Sequence, residues 1–293
     1  MTPLLEIAVE PKWKADIQKL ALVLSRLAAG DASLRIRIDP ELGQAVIGGV
    51  SEQHLDGIVG QIRRDLAVNV GNPQVAYLET ISKAGEIDYT HKKQSRGSGQ
   101  YARVKLRCEP LPFGSGCQFA NEVKDGSVPQ QYVPGVAKGL KAAMENGVIA
   151  GFPVTDIKAT LYDGAYHDVD SSALAFEIAT RAAVREGLPK AEPKLLEPIM
   201  TVEISTPSEY LDEISRDLKT RRGEVSGTKS EGDRCLVSTV VPLANLFGYD
   251  KALSALTRDH ATFTMKYSYY AAVPLSYDDD PFRPAGAVAM RVA

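Results

Sequence analysis

The sequence predicts an α+β protein of three domains, of which the first and the last are ferredoxin-like. At 293 residues the chain is longer than one ordinary hydrophobic core, so more than one domain is expected. Residues 1–76 and 196–275 each follow the order β-α-β-β-α-β, which is the split βαβ pattern. Residues 77–195 between them differ in character, with glycine-rich loops and alanine-rich helices.

The first domain begins with a short apolar strand at residues 4–9, followed by a predicted helix. Residues 34–38 alternate apolar and polar, as a half-buried strand does, and a Pro/Gly turn at 39–43 leads into a strand at 44–48. Apolar residues at spacings of three and four predict the buried faces of two helices. These residues are Trp13, Ile17, Leu20, Leu24 and Leu27, then Leu55, Ile58, Val59, Ile62 and Leu66.

The middle domain has predicted strands near residues 101–108 and 154–162 and predicted helices at 133–146 and 171–185. Asp170 and Ser171 are both candidates for the residue that caps the second helix, because short polar side chains accept from free amides at a helix start.

The last domain opens with a strand at residues 199–205. Thr206 and Glu209 have the spacing of a capping box with Pro207 between them, and Gly223 is placed to end the helix that follows. Two strands flank residues 230–233, a helix covers 249–256, and a strand at 261–270 closes the sheet. The acidic, proline-containing tail at 276–293 is expected to be flexible.

Composition predicts a soluble cytoplasmic protein. Hydrophobic residues make up 44% of the chain, and no apolar run approaches the roughly 18 residues of a membrane span. The N-terminus lacks the pattern of a secretory signal. The cysteines, Cys108, Cys117 and Cys235, form no C-x-x-C pair and are expected to be buried thiols in a reducing compartment. The net charge of −3 argues against a surface that grips nucleic acid everywhere, although a local basic region remains compatible with it.

Sequence motifs of catalysis are missing. The chain has no G-x-x-x-x-G-K-[ST] phosphate loop, no H-E-x-x-H and no G-x-S-x-G. Its four histidines show no metal-ligand spacing. The run from His167 to Asp170 admits a metal or acid/base interpretation, a structural interpretation as a helix start, or a role in nucleic-acid contact.

A basic, glycine-rich loop at residues 91–101 is compatible with nucleic-acid contact, although by itself it is weak evidence because most such loops are simply solvated. It places Lys92, Lys93 and Arg96 among small residues, and glycine lets the main chain approach a phosphate closely.

Ordered segments along almost the whole chain resemble elongation factor G. Residues 94–101 (QSRGSGQY) and 166–172 (YHDVDSS) are similar to the two tip loops of that family's fourth domain. Residues 8–12 and 46–55 resemble the third domain, and residues 73–77 its junction with the fourth. Residues 197–200, 206–210, 221–223, 247–249 and 261–265 resemble the fifth domain.

The resemblance implies a middle domain like domain 2 of ribosomal protein S5, and a chain that contains domains three to five of a translational GTPase. GTP and magnesium are then expected on a first domain absent from this chain, which would itself be neither catalytic nor cofactor-binding. The expected partners are the small-subunit decoding site, the large-subunit stalk base and sarcin–ricin loop, tRNA and mRNA, with the protein acting as a cytoplasmic monomer. Arg221 and Arg222 become candidate rRNA contacts. The tip that meets the tRNA–mRNA helix would consist of Lys92, Lys93, Gln94, Ser95, Arg96, Gly97, Ser98, Gly99, Gln100, His167, Asp168, Val169 and Asp170.

Alternatives remain open at this point. Arg96 stands where the family usually has glycine, and His260 stands where arginine is common, which is compatible with a diverged paralogue in ribosome recycling or protection. Residues 133–139 are a poor version of the phosphate loop of S5-like small-molecule kinases. Ferredoxin-like domains also occur in metabolite-binding regulators.

Overall fold

The computed structural model describes residues 3–39, 44–95, 98–124 and 126–274. Residues 3–76 and 197–271 fall into one compact unit, and residues 77–196 with 272–274 fall into a second. The predicted α+β class is confirmed, whereas the division into three domains stays a prediction. Residues 40–43 of the predicted turn at 39–43, and the tail at 276–293, lie outside the described residues. Within the described part of the chain, no helix combines the length and apolar content that a membrane span needs.

The first unit contains two sheets, and the first has the predicted ferredoxin-like topology. Its strand order is β2-β3-β1-β4, with neighbours antiparallel and a short β5 paired to the start of β1. Its elements are β1 (Leu5–Pro11), α1 (Ile17–Gly30), β2 (Arg35–Asp39), β3 (Gln44–Gly49), α2 (Glu52–Asp65), β4 (Val68–Val70) and β5 (Gln74–Val75).

One residue of the predicted helix stripe was placed wrongly. Leu20 and Leu24 are buried as expected, but Trp13 is 61% exposed. Trp13 is extended (φ −121°, ψ 131°) and precedes a short 3-10 turn, so it is not part of α1 and does not share its buried face. Periodicity alone gave no signal for where the helix begins.

The second sheet of this unit repeats the topology with the order β12-β13-β11-β14. The hydroxyl of Tyr270 donates to the carbonyl oxygen of Ala76 at 2.8 Å and so connects this sheet to the end of the first. The elements are β11 (Pro193–Pro207), α5 (Leu211–Thr220), β12 (Glu224–Glu231), β13 (Arg234–Pro242), α6 (Tyr249–Thr257) and β14 (Thr262–Ala272).

Both ends of α5 differ from the prediction. The Thr206 hydroxyl donates to the carbonyl oxygen of Pro207 at 3.2 Å, and no side chain caps the helix or the 3-10 turn before it, so the predicted capping box is wrong. At the other end the left-handed residue is Arg222 (φ 61°) rather than Gly223. The amide of Gly223 donates to the carbonyl oxygen of Leu218 at 2.7 Å, and the amide of Arg222 donates to the carbonyl oxygen of Lys219 at 3.1 Å. This pattern is a Schellman ending in which arginine occupies the position that glycine usually takes.

The second unit is built on a sheet of order β7-β8-β10-β9, in which β9 and β10 are parallel. Helix α4 packs on β7 and β8, and its Phe176 and Ala179 are fully buried in the core. The elements are β6 (Leu78–Ile81), β7 (Gly85–Ser95), β8 (Ser98–Pro110), β9 (Gln118–Asn121), α3 (Val133–Met144), β10 (Ile157–Ala165) and α4 (Ala173–Gly187). The short β6 pairs with residues 193–196 at the start of β11.

The cysteines are free thiols. Cys108 and Cys235 are buried, as predicted, whereas Cys117 is exposed.

Candidate nucleic-acid interface

The two predicted tip loops meet at one end of the second unit. Strands β7 and β8 form a hairpin whose register runs from Gly85↔Cys108 to Ser95↔Ser98. The amide of Tyr101 on β8 donates to the carbonyl oxygen of Asp170 at 2.9 Å, and the hydroxyl of Ser171 donates to the carbonyl oxygen of Tyr101 at 2.7 Å. We call the described residues 92–95, 98–101 and 166–171 the paired loops. Arg96 and Gly97 lie between the strands and outside the described residues.

Close packing of the paired loops depends on Gly99. A Cβ atom placed on Gly99 would lie 2.5 Å from the carboxyl carbon of Asp170, well inside van der Waals contact. A larger residue at position 99 therefore displaces the Asp170 side chain or separates the loops.

Hydrogen bonds to the His167 side chain hold the loop of residues 166–171 in place. The Nδ1 atom of His167 accepts hydrogen bonds from the amides of Val169 and Asp170, both at 3.3 Å. An Nδ1 atom that accepts carries no proton, so Nε2 holds it and remains a donor. The 3.6 Å approach of Nδ1 to the Asp170 carboxylate is then no ion pair. The arrangement also uses His167 within the loop rather than as a metal ligand.

An aromatic stack fastens this loop to the core. The ring of Tyr132 stacks on buried Phe176 with centroids 5.1 Å apart, and its hydroxyl donates to the carbonyl oxygen of Ser171 at 3.3 Å. Tyr166, at the start of the loop, lies 6.4 Å from the Tyr132 ring. The loop is therefore exposed but anchored.

The cap of α4 was assigned to the wrong residues. The hydroxyl of Ser172 accepts from the amide of Ala175 at 3.1 Å, which makes Ser172 the N-cap in place of Asp170 or Ser171. The hydroxyl of Ser171 instead bridges the two loops. It donates to the carbonyl oxygen of Tyr101 on the hairpin and accepts from the amide of His167 in its own loop at 2.9 Å.

Exposure singles out the predicted contact residues. His167, Asp168 and Val169 are exposed, Val169 at 83%, and Asp170 is half-buried. On the hairpin Lys92, Lys93 and Gln94 are exposed, whereas Gly99 and Gln100 are half-buried. Ser95 and Ser98 pair through the backbone.

Ion pairs neutralise the cations of the hairpin away from the paired loops but not the two lysines within them. Arg103 pairs with Asp88 at 2.6 Å, Lys105 with Asp163 at 2.6 Å, and Arg107 with Glu86 at 3.5 Å. The hydrogen bond from Lys105 lowers the pKa of Asp163 to about 2. Lys92 and Lys93 form no ion pair with any described residue. The free positive charge thus lies at the exposed end, where a phosphate can approach it.

The two arginines predicted as rRNA contacts are both engaged within the first unit. Arg221 donates to the Asp217 carboxylate at 2.8 Å and to the carbonyl oxygen of Asn245 at 2.9 Å, and its guanidinium lies 4.9 Å from the centroid of the Tyr249 ring. Arg222 pairs with Glu197, which is only 2% exposed. Sequence reasoning missed these structural roles, and the rRNA contact stays a prediction.

Glu79 has a structural role that sequence reasoning also missed. Glu79 is 1% exposed. Its carboxylate accepts hydrogen bonds from four backbone amides between residues 148 and 152. The donors are Val148 (2.7 Å), Ile149 (2.9 Å), Ala150 (2.8 Å) and Phe152 (3.1 Å). A lone glutamate in a strand gives no sequence signal for a partner so distant along the chain. The carboxylate fixes the loop that follows α3.

Residues 133–139, which resemble a poor phosphate loop, contain two glycines that lie where α3 packs against α4. A Cβ atom on Gly135 would clash with the carbonyl oxygen of Ala173, and one on Gly139 would clash with that of Glu177. These glycines let α3 and α4 approach closely along their length and are not arranged as a phosphate loop.

Comparison with known proteins covers the chain almost from end to end. Three family profiles match consecutive segments, namely elongation factor G domain III over residues 2–72, domain IV over 73–192 and the C-terminus over 194–281. Elongation factor G from Paracoccus denitrificans is 53% identical over 280 residues, which is 95% of this chain and 40% of that protein. The Hyphomonas neptunium protein of that name is 52% identical over 274 residues, which is 93% of this chain and 39% of that protein.

A crystal structure of a protein from Thermus thermophilus is 37% identical and superposes with a TM-score of 0.66. The match covers 94% of this chain and 41% of the solved one. The chain therefore spans about 40% of the length of the relatives that it matches.

Proposed function

The chain belongs to the elongation factor G family, and from this we propose that it is the ribosome-engaging segment of a translational GTPase that promotes tRNA–mRNA translocation. In this proposal GTP and magnesium bind to a part of the parent protein outside these residues. The segment contributes contacts rather than catalysis. It works as a cytoplasmic monomer on the ribosome.

One observation carries the proposal. The hairpin end and the loop after β10 are joined by the Tyr101–Asp170 and Ser171–Tyr101 hydrogen bonds into one exposed, anchored surface. A surface held at both loops keeps its shape when it meets another molecule, as a wedge at the tRNA–mRNA helix must. Recognition of RNA helices relies mostly on shape and on contacts with phosphate and 2′-hydroxyl groups.

The charge distribution supports the same role. Ion pairs neutralise Arg103, Lys105 and Arg107, so Lys92 and Lys93, which have no ion-pair partner among the described residues, mark the end that approaches RNA. A few local cations and a net charge of −3 favour reversible contact over permanent capture by rRNA.

His167 supplies a directed donor at this surface. Its Nδ1 atom is held by the Val169 and Asp170 amides, which leaves the Nε2 proton for a 2′-hydroxyl or phosphate oxygen. The decoding site of the small subunit, with its tRNA and mRNA, is the proposed partner. The stalk base and the sarcin–ricin loop are the proposed partners of the last domain, with Arg221 and Arg222 as candidate contacts.

The proposal is tested by His167→Ala in the full-length parent. Translocation should slow while ribosome-stimulated GTP hydrolysis stays unchanged, because His167 contacts no nucleotide in this account. Lys190→Ala is the matched control, since Lys190 is exposed beyond the opposite end of α4. Equal losses in both rates for His167→Ala, or equal slowing by the control, would overturn the proposal.

A further inference from the structure

Trp13 presents an open indole face in the first unit. It is the one tryptophan of the chain and is 61% exposed, in the extended stretch between β1 and α1. Its carbonyl oxygen accepts from the amide of Asp16 at 2.9 Å, which holds the backbone in place. Among the described residues no aromatic ring and no cation covers the indole. The core therefore does not account for this side chain.

Four exposed cations come from the two segments that meet beside Trp13. Lys12 and Lys14 flank it in sequence, and Arg63 and Arg64 occupy the last turn of α2. The amide of Lys12 donates to the carbonyl oxygen of Ala67 at 3.0 Å, which joins the stretch before α1 to the stretch just after α2. Ala67 is three residues after Arg64 and four after Arg63 in the chain, so this hydrogen bond brings the end of α2 that carries the two arginines to the stretch that carries Lys12 and Lys14.

Neighbouring carboxylates leave these four cations free. Asp16 lies 3.8 Å from Lys19, and Asp65 lies 3.8 Å from Arg26, in exposed pairs of the kind that contribute little energy. Glu10, the carboxylate nearest to Lys12 in the sequence, forms no ion pair with a described residue. In the described part of the chain, Lys12, Lys14, Arg63 and Arg64 form no ion pair. The region is locally basic in a protein whose net charge is negative.

A shallow depression extends this region between the two helices. Its volume is about 310 Å³. It is lined by Val23, Arg26, Leu27, Gln61, Arg64 and Asp65. Arg64 thus belongs both to the basic region and to the wall of the depression.

We propose that Trp13 stacks on an unpaired RNA base while Lys12, Lys14, Arg63 and Arg64 contact the adjoining phosphates. An open aromatic face among free cations suits single-stranded nucleic acid, because every base offers a flat face and every linkage a negative charge. An acidic peptide would use the cations but would leave the indole without a flat partner. The inference rests on the proposed function only in that the RNA is taken to be ribosomal.

The fluorescence of Trp13 tests this directly, since the chain has no other tryptophan. Titration with a short single-stranded RNA should quench the Trp13 fluorescence. Poly-glutamate at the same concentration of negative charge should not quench it. Binding should weaken with salt at a log–log slope of about −3, since each phosphate contact on a single strand contributes about −0.7. Replacing Lys12 and Lys14 by Gln should reduce that slope by about half.

Affinity for a labelled RNA, measured by anisotropy, separates stacking from charge. Trp13→Ala should weaken binding by about tenfold or more, and Trp13→Phe should retain most of it. Leu22→Ala is the matched control, because Leu22 on α1 is also apolar and 65% exposed. Unchanged affinity in Trp13→Ala, or equal quenching by poly-glutamate, overturns the inference.

Ribosome cosedimentation keeps the two proposals apart. If RNA fails to quench Trp13 while the chain still cosediments, the stacking inference fails and the proposed function stands. If RNA quenches Trp13 but the chain does not cosediment with ribosomes, the proposed function fails and the stacking inference stands.

Discussion

Gly99 and Asp170 approach so closely that a Cβ atom on Gly99 would lie 2.5 Å from the Asp170 carboxyl carbon. The contact joins the hairpin of β7 and β8 to the loop after β10. A side chain at position 99 therefore has to displace the Asp170 carboxyl group, although the backbone at Gly99 needs no left-handed conformation.

Gly99→Ala should therefore destabilise the protein by about 1 kcal/mol and slow translocation by the full-length parent, because the Asp170 side chain must move. Thermal unfolding and translocation rates measure the two effects. Gly57→Ala in α2, where an added Cβ meets nothing within 4 Å, should leave translocation unchanged and stabilise slightly. Identical behaviour of the two variants would argue against a tight joint between the loops.

Glu79→Ala should cost about 3 kcal/mol or more, because four loop amides lose their shared acceptor. The control is Glu86→Ala, which removes an exposed carboxylate paired with Arg107 at 3.5 Å and should cost under about 1 kcal/mol. Denaturant unfolding compares the two. Comparable losses would mean that the buried carboxylate does not hold the loop.

Arg222→Ala should destabilise the first unit by about 2–4 kcal/mol, since it leaves the buried Glu197 carboxylate without its cation. The double variant Arg222→Ala with Glu197→Gln should recover part of that loss, which a double-mutant cycle measures. If Arg222→Ala unfolds like the wild type, the ion pair of Arg222 with Glu197 does not stabilise the fold.

Asp163→Asn should lower stability at neutral pH and lose its effect in acid. The hydrogen bond from Lys105 holds the pKa of Asp163 at about 2 in the folded protein, below its ordinary value of 3.8. A depressed carboxyl pKa stabilises the fold above the ordinary value, and the contribution fades as pH falls from about 4 to about 2. Unfolding of both proteins across this range should show the difference shrinking; a constant difference would contradict the assignment.

The topology could be predicted from sequence because strand alternation and helix stripes encode it locally. The buried stripe on α2 and the alternation at residues 34–38 are examples in which burial decides the pattern. The meeting of residues 99–101 with 170–171 followed from the resemblance, since no periodicity in either loop indicates it.

Other features depend on contacts that a linear pattern does not contain. Trp13 continued the spacing of α1, yet the chain is extended at that residue. Arg222 takes the left-handed position and its guanidinium pairs with Glu197, so the neighbouring Gly223 misled the prediction. The sequence around Glu79 shows only a strand residue, because its partners are backbone amides of the loop after α3, which have no sequence signal.

In the proposed function the paired loops enter the decoding site, and tethered hydroxyl-radical cleavage locates them on the ribosome. Val169→Cys, 83% exposed as valine, would carry an iron chelate in the full-length parent with exposed Cys117 replaced by Ser. Val225→Cys, on β12 of the other unit, is the control. We predict cleavage of small-subunit rRNA at the decoding site from position 169 and not from position 225. Absence of that cleavage, or equal cleavage from both positions, would show that the paired loops do not enter the decoding site.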